Sequence, residues 1–218
     1  MNHSLGQYLR FAWQKLAKHL RHLRRRRASL AMLNKRPTSL PLMIELGAGD
    51  RSGSNGWLTL DTVDGCDIYW DLREGLPFTD NSITKIYSSH FLEHLDFREG
   101  QILLEECYRA LAPGGEFSVS VPNAGIYLEA YSRKRAPEGK DFFGHFPAYN
   151  HTTEIDYVNY IAYMDGHHKY MFDADNLLHR LKSSGLVDVS LREFDPELDL
   201  AWRDFESLYA RGFKEQSK

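Results

Sequence analysis

Short apolar runs that stop at small or acidic residues constrain this chain more than any other feature of its sequence. The first run, Leu42 to Leu46, is interrupted only by Glu45 and ends at Gly47-Ala48-Gly49. Three further runs end on polar residues: Trp57 to Leu60 at Asp61, Ile68 to Trp70 at Asp71, and Ile83 to Tyr87 at Ser88-Ser89-His90. Runs of this length and pattern are typical of buried strands.

A helical pattern separates these runs from the next strand. Glu99 to Leu111 has apolar residues at helical spacing, and strand Phe117 to Val121 follows a Pro113-Gly114-Gly115 turn. The alternation predicts an α/β fold with a doubly wound sheet. In such sheets ligands bind beyond the carboxyl ends of the strands, which is where the polar residues of this chain collect.

The second half of the chain is less regular. Tyr127 to Gly166 is rich in aromatic, charged and His residues without a clear period, which predicts a lid or substrate-side insertion at about 127–166. A helix from Asp173 to Ser184 is then expected, with Asp173 as its N-cap. Strands Val187 to Glu193 and Leu208 to Phe213 would complete the sheet as a terminal pair.

The N-terminal segment differs in charge from the rest of the chain. Met1 to Arg36 contains ten Lys or Arg and no Asp or Glu, whereas the remainder has 17 basic and 30 acidic residues. Its apolar residues from Leu5 to Leu23 recur at steps of three and four, which predicts a basic amphipathic helix over 1–36. The expected domains are this helix, a linker over 37–41 that contains Pro37 and Pro41, and a main domain over 42–218. The helix has two interpretations: it docks by its apolar stripe, or it holds the phosphates of an anionic membrane or nucleic acid.

The composition limits the class of protein, its location and its partners. The chain has 218 residues, of which 42% are hydrophobic and 26% charged, as in globular proteins. No apolar run reaches the roughly 18 residues needed to cross a bilayer, and no secretory signal is recognised. A cytoplasmic location is therefore expected; the alternative is a cytoplasmic protein attached peripherally to the inner membrane surface. Cys66 and Cys107 are too few for a disulfide framework and are expected to be free thiols. The acidic main domain makes nucleic acid an unlikely partner.

Four blocks in a fixed order carry a resemblance to a known family. They are Glu45-Leu46-Gly47-Ala48-Gly49, the run Asp71 to Ser82, Ser88-Ser89-His90-Phe91-Leu92-Glu93-His94-Leu95, and Leu111-Ala112-Pro113-Gly114-Gly115. In this order they resemble the type 11 family of class I methyltransferases, and Gly166-His167-His168-Lys169-Tyr170-Met171-Phe172-Asp173 extends the resemblance. It implies a Rossmann-like, seven-stranded sheet with a reversed last strand, and S-adenosylmethionine as cofactor.

The resemblance also implies a set of cofactor-binding residues. Gly47 and Gly49 would let the backbone approach the cofactor, and Glu45 would organise the loop or face the positive end of the cofactor. Asp61 would accept hydrogen bonds from the ribose hydroxyls. Asp71 and the backbone of Leu72 suit the adenine edge, and Ser88 completes the expected set. Each of these residues also has a plain structural interpretation as a turn former or cap.

The loop that follows the glycines departs from the family pattern. Asp61 comes only 12 positions after Gly49, where about 20 are usual. The intervening residues are mainly turn formers, so the first helix should be missing or reduced to a turn.

His90 is the candidate catalytic base, because it directly follows the fourth strand; the alternative is a hydrogen bond to the backbone. Glu93 and His94 are expected to cap or orient the next helix. His90 and His94 have the spacing of helical metal ligands, but no third ligand stands at a diagnostic spacing, so no metal site is expected. Other His residues are candidates for lining the acceptor pocket: His145, His151, His167 and His168.

The predicted function is methyl transfer to a small molecule or a sugar-containing acceptor. The sugar is suggested only by resemblance to relatives with a shortened loop. Two alternatives are a noncatalytic binding module that keeps the fold, and an RNA methyltransferase that uses the basic run Arg24 to Arg27. Neither the oligomeric state nor the methylated atom follows from the residues.

Overall fold

Seven strands form a single sheet in the computed structural model, which describes residues 5–36, 41–133 and 153–216. The strands are β1 (Met43–Leu46), β2 (Trp57–Asp61), β3 (Ile68–Tyr69), β4 (Ile83–Ser89), β5 (Leu111–Pro122), β6 (Val187–Leu191) and β7 (Ser207–Phe213). Their order is β3-β2-β1-β4-β5-β7-β6, with β7 antiparallel to both of its neighbours and the other pairs parallel. This confirms the predicted seven-stranded sheet with a reversed last strand.

Five α-helices accompany the sheet in the described residues: α1 (Leu5–Lys35), α2 (Phe97–Ala110), α3 (Ala124–Ser132), α4 (Ile155–Tyr163) and α5 (Ala174–Ser183). Helix α2 begins before its predicted start, because Asp96 and Glu99 form a reciprocal capping box at its first turn. Asp173 caps α5 as predicted, accepting a hydrogen bond from the Asn176 N–H. Helix α4 lies in the predicted insertion and α3 begins three residues before it; neither helix was anticipated. Residues 134–152 of that insertion, with His145 and His151, lie outside the described residues, as do residues 37–40 of the expected linker.

The main core lies on one face of the central strands, where the buried residues of neighbouring strands are in register. Ile44, Leu46, Ile86 and Phe117 are fully buried or nearly so, and α2 covers them with Leu103 and other buried side chains. Cys107 is one of the buried residues of α2, and both cysteines are free thiols.

Helix α1 divides into two parts with different surroundings. In its second half Ser29 is buried and accepts a hydrogen bond from the Tyr69 N–H, and the Arg25 and Arg26 guanidinium groups lie 4.0 and 3.9 Å from the Tyr69 and Trp70 ring centroids. In its first half the apolar side chains are 46–69% exposed: Tyr8, Leu9, Phe11, Trp13, Leu16 and Leu20. The second half is therefore part of the core, whereas the first half extends from it. No helix among the described residues has the length and apolar character needed to cross a membrane.

Candidate active site

The topological switch point of the sheet lies between β1 and β4. The chain runs from β1 outward to β2 and β3 on one side, then returns to β4 and β5 on the other. Leu46 of β1 pairs with Ser88 of β4 near the carboxyl ends of the two strands. The region beyond these carboxyl ends is the usual ligand position in such a sheet.

The glycine loop after β1 is shaped by a neighbouring aromatic ring. Gly47 and Gly49 both have φ of +68°, a conformation that side chains disfavour. A Cβ at Gly47 would lie 2.2 Å from the Phe91 ring, whereas a Cβ at Gly49 would meet no atom within 4 Å. Gly47 is thus required by packing, and Gly49 presents bare backbone to open space.

Asp61, the last residue of β2, holds this loop in place. Its Oδ2 accepts a hydrogen bond from the Gly49 N–H at 2.9 Å, and its Oδ1 accepts one from the Thr62 N–H. Oδ2 keeps a second lone pair, and the Thr62 hydroxyl donates to Oδ1 only at 3.5 Å, a weak contact that a ligand hydroxyl can replace. Asp61 can therefore position the loop and still accept hydrogen bonds from a ligand.

A cavity of about 160 Å³ lies beside Asp61 at the carboxyl ends of β2 and β3. Acidic, basic and apolar groups line it: Asp61, Thr62, Trp70, Asp71, Leu72, Arg73, Phe91, His94, Leu95 and Lys169. The structure thus brings together Asp61, Asp71 and Leu72, three of the residues predicted to bind the cofactor. Phe91 and Leu95 supply apolar walls suited to a planar ring.

Asp71 is less available to a ligand than Asp61. Both of its oxygens accept hydrogen bonds from the Arg73 guanidinium, and Oδ1 also accepts one from the Arg73 N–H. These hydrogen bonds hold the pKa of the Asp71 carboxyl below its usual range, although burial opposes them. Asp71 therefore caps the short turn that carries Leu72, whose side chain is buried in the core.

His90, the predicted base, is buried and oriented by Ser207. The Ser207 hydroxyl donates its hydrogen to the Arg203 carbonyl, so His90 Nε2, at 2.7 Å, must donate to the Ser207 oxygen. Burial, aided by nearby positive groups, lowers the pKa of His90 to about 3. A ring this weakly basic is poorly matched to proton abstraction at neutral pH, and its geometry favours a positioning role.

Glu93, His94 and His168 form a compact cluster at one side of the cavity. The Glu93 carbonyl accepts hydrogen bonds from the Lys169 and Tyr170 N–H groups, which brings His168 beside His94, with ring centroids 5.2 Å apart. Glu93 is 2% exposed, and burial raises its pKa to about 8. The expected role of Glu93 as a helix cap is taken instead by Asp96.

The sequence of this chain matches one family profile over part of its length. Residues 64–119 match the type 11 methyltransferase family, described as a methyltransferase domain. A search of curated proteins found no match.

Solved structures with a similar fold are methyltransferases. Phosphoethanolamine N-methyltransferase 2 of Haemonchus contortus, solved in complex with S-adenosylmethionine, is 14% identical to this chain, with a TM-score of 0.52. The match covers 87% of this chain and 53% of the Haemonchus contortus protein, so this chain spans about half of that enzyme's length. An S-adenosylmethionine-dependent methyltransferase of Mesorhizobium loti is 21% identical with a TM-score of 0.51 over 86% and 96% of the two chains. One from Archaeoglobus fulgidus is 15% identical with a TM-score of 0.51 over 86% and 92%. The fold is that of the class I methyltransferases.

This methyltransferase fold lacks the helix that usually follows the glycine loop. Residues 47–56 form turns and bends without a helix, as predicted. A groove of about 960 Å³ lies over the sheet here, floored by alternate residues of three strands: Met43, Glu45, Trp57, Lys85 and Tyr87. The shortened loop therefore borders a groove over part of this face of the sheet, where residues 195–198 form another side.

Glu45 lies in this groove and is not among the residues that line the cavity beside Asp61. Its carboxylate accepts a hydrogen bond from Arg51, whose Nε donates to the Ala48 carbonyl. Burial raises the pKa of Glu45, and Arg51 opposes that shift. Glu45 was predicted either to organise the glycine loop or to face the positive end of the cofactor. The geometry favours the first role.

Ser88 is fully buried in β4, and its hydroxyl has no hydrogen-bond partner among the described residues. It does not line the cavity beside Asp61. Its predicted contact with the cofactor stays a prediction.

Proposed function

We propose that this chain binds S-adenosylmethionine in the cavity beside Asp61 and transfers its methyl group to a small-molecule or sugar-containing acceptor. The observation that carries the proposal is the joint placement of Asp61 and the bare backbone of Gly49 at the carboxyl ends of β2 and β1, next to the switch point of the sheet. This is where nucleotide-like ligands bind in doubly wound sheets.

The lining residues fit the adenosyl part of this cofactor. The free lone pairs of Asp61 suit two vicinal ribose hydroxyls, and Phe91 and Leu95 suit the adenine ring. The glycine loop leaves room for the cofactor near Gly49. No phosphate is present in the cofactor, so the absence of a helix after the loop removes no essential contact.

S-adenosylmethionine, when bound, supplies a methyl group already activated by a positively charged sulfur. The residues of the chain then have to orient the two reactants and exclude water. Orientation of this kind can account for about 7–11 kcal/mol of barrier lowering. Asp61 and the glycine loop fix one reactant, and His94 and Lys169 border the same cavity.

The acceptor is proposed from the relatives and from the charge of the main domain. The Haemonchus contortus enzyme, also solved with phosphomonomethylethanolamine and S-adenosylhomocysteine, acts on a small molecule. The acidic main domain does not favour RNA.

Transfer of a radiolabelled methyl group tests this proposal. We expect label from S-adenosylmethionine to appear in a pool of phosphorylated amines or sugars, and to fall at least about 10-fold in Asp61→Ala. Asp64→Ala is the matched control, because Asp64 is an exposed neighbour that pairs with Arg25. Label in RNA only would support an RNA methyltransferase. Failure both to bind the cofactor and to label any pool would support a noncatalytic binding module that keeps the fold and has lost the cofactor.

The first half of α1 is proposed to contact an anionic membrane surface. This part of the helix exposes Leu9, Phe11 and Trp13, and it contains no acidic residue. Apolar side chains next to Lys and Arg are the pattern of helices that lie in the lipid interface. This attachment would make the chain a peripheral protein.

Vesicle sedimentation tests the membrane contact. We expect binding to vesicles with about 30% anionic lipid, release as salt rises, and weaker binding in Trp13→Ala. Trp202→Ala is the control, because Trp202 is 66% exposed and Trp13 69% exposed. Equal binding to neutral and anionic vesicles, or equal loss in both variants, would contradict the contact.

A further inference from the structure

Three side chains beside the cavity have the arrangement of a metal site. Glu93, His94 and His168 each offer one ligand atom, and these atoms lie within 4.8 Å of one another. Atoms bound to a common ion at about 2 Å lie at most about 4 Å apart, so the side chains would have to close by about 1 Å to share an ion. The cluster joins two segments that are far apart in sequence.

Both His rings are held in the same tautomer by backbone carbonyls. His94 Nδ1 lies 2.9 Å from the His167 carbonyl oxygen, and His168 Nδ1 lies 2.9 Å from the Ile161 carbonyl oxygen. A carbonyl only accepts, so each Nδ1 carries the hydrogen and a neutral ring keeps its lone pair on Nε2. Metal-binding His residues are commonly oriented in this way by a second hydrogen bond.

The Glu93 carboxylate lacks the contacts that a buried charge needs. Its Oε2 has no hydrogen-bond partner among the described residues, although the side chain is 3% exposed. His90 Nδ1 and His94 Nε2 lie 3.8 and 3.9 Å from Oε1, beyond hydrogen-bonding distance. A buried carboxylate is costly unless it is paired, protonated or bound to a cation.

We propose that Glu93, His94 and His168 bind a divalent first-row transition-metal ion, through the Glu93 carboxylate and the two Nε2 atoms. Two imidazoles and one carboxylate suit zinc, iron, cobalt or nickel better than magnesium, which prefers oxygen ligands. Three protein ligands leave coordination positions open, as in catalytic rather than structural sites.

The ion has a role if the proposed methyl transfer is correct. His94 lines the cavity beside Asp61 as well as the cluster, so the ion would lie next to the cofactor. An open coordination position would hold a hydroxyl of the acceptor and lower its pKa. This would supply the activation that His90, whose Nε2 donates its hydrogen to the Ser207 hydroxyl, does not.

Cobalt titration of the protein after chelator treatment tests the site. We expect one Co²⁺ per chain, visible d–d absorption bands of a nitrogen- and oxygen-bound ion, and displacement by Zn²⁺. His168→Asn and His94→Asn should each weaken Co²⁺ binding at least about 10-fold. An Asn amide still donates where Nδ1 does, so both variants keep the hydrogen bond to the carbonyl while removing the Nε2 ligand.

His179→Asn is the matched control, because His179 is exposed on α5 and lies outside the cluster. It should bind Co²⁺ like the unaltered protein. No stoichiometric binding in the unaltered protein, or equal affinity in His168→Asn and His179→Asn, overturns the proposal and leaves Glu93 as a protonated, buried acid. Calorimetry of S-adenosylhomocysteine in the presence of chelator separates the two claims. Cofactor binding without Co²⁺ binding overturns the metal site alone, whereas Co²⁺ binding without cofactor binding supports the site and contradicts the proposed function.

Discussion

At the scale of single residues, carboxylates with similar sequence positions differ in what surrounds them. Asp61 keeps lone pairs free beside a cavity, Asp71 is occupied by Arg73, and Glu45 braces the glycine loop through Arg51. All three follow or lie within short strands near the same edge of the sheet. Only Asp61 combines a fixed position with unused acceptor capacity.

The ion pair between Arg192 and Asp199 gives a stability prediction. Its side chains are 9% and 1% exposed, and Asp199 also accepts hydrogen bonds from the Tyr87 hydroxyl and the Asp195 N–H. Asp199→Asn leaves the Arg192 charge without its partner and should lower the free energy of unfolding by about 3–5 kcal/mol at pH 7. Urea denaturation measures this, with Glu105→Gln on the exposed face of α2 as control.

The same pair predicts the direction of a pH effect. Burial alone would raise the pKa of Asp199, but hydrogen bonds from Arg192, Asp195 and Tyr87 lower it overall. A lowered pKa stabilises the folded state above the unfolded value of about 3.9 and loses that stabilisation as pH falls through the folded value. The stability difference between the unaltered protein and Asp199→Asn should therefore shrink below about pH 4. A difference that stays constant down to pH 2 would contradict this.

Local sequence could indicate residue types at the site but not their partners. The strand-end positions of Asp61 and Asp71 followed from hydrophobic pattern, because strands end where polar residues begin. The pairing of Asp71 with Arg73 depends on a rotamer, and the pairing of His94 with His168 spans more than 70 positions. The sequence did show two His in the segment Gly166 to Asp173; what it lacked was the fold that brings them to Glu93.

At the scale of elements, α1 is two structures in one helix. Its 31 residues span about 46 Å. Only the second half of this length contacts β3 and Trp70. The basic amphipathic pattern predicted the helix correctly. It did not indicate that Ser29, Met32 and Leu33 belong to the core, because the stripe in that half resembles the stripe in the exposed half.

Two truncations distinguish these halves. Removing residues 1–20 should leave the melting temperature nearly unchanged, because the large apolar side chains described in this part of the chain, from Tyr8 to Leu20, are exposed. Removing residues 1–36 should still permit folding but lower the free energy of unfolding by about 2–5 kcal/mol, since it exposes Tyr69 and Trp70 and leaves the Tyr69 N–H without Ser29. Thermal and urea denaturation measure both. Equal stability of the two truncated proteins would contradict the division of α1.

The elements near the site were predictable where periodicity was strong. Strands β1, β2 and β4 and helices α2 and α5 followed from buried runs and caps. Helices α3 and α4 were missed because their aromatic residues are spread around the helix: Tyr127, Tyr157 and Tyr160 pack against one another and against Ile161 in a second, smaller core. Tertiary packing thus replaces a clear amphipathic stripe there.

At the scale of the whole molecule, the sheet has two distinct concave sites near the shortened loop: the cavity beside Asp61 and the groove over Glu45. The cavity at the carboxyl ends of β2 and β3 keeps its acidic residue and glycines, whereas the groove over Glu45 and Tyr87 results from the missing helix. Loss of that helix changes the covering of one sheet face and leaves the hydrogen bond between Gly49 and Asp61 in place. Cofactor binding is therefore expected to survive the shortening.

Isothermal calorimetry with S-adenosylhomocysteine tests this central claim most directly. We predict one site per chain with micromolar affinity, and a rise in melting temperature at saturating ligand because the ligand binds only the folded state. Asp61→Ala should weaken binding by about 10- to 100-fold while remaining folded, because it removes charge-assisted hydrogen bonds. Asp64→Ala, three positions away and exposed, should bind like the unaltered protein. Absence of both heat and thermal shift at saturating ligand in the folded protein would contradict the account.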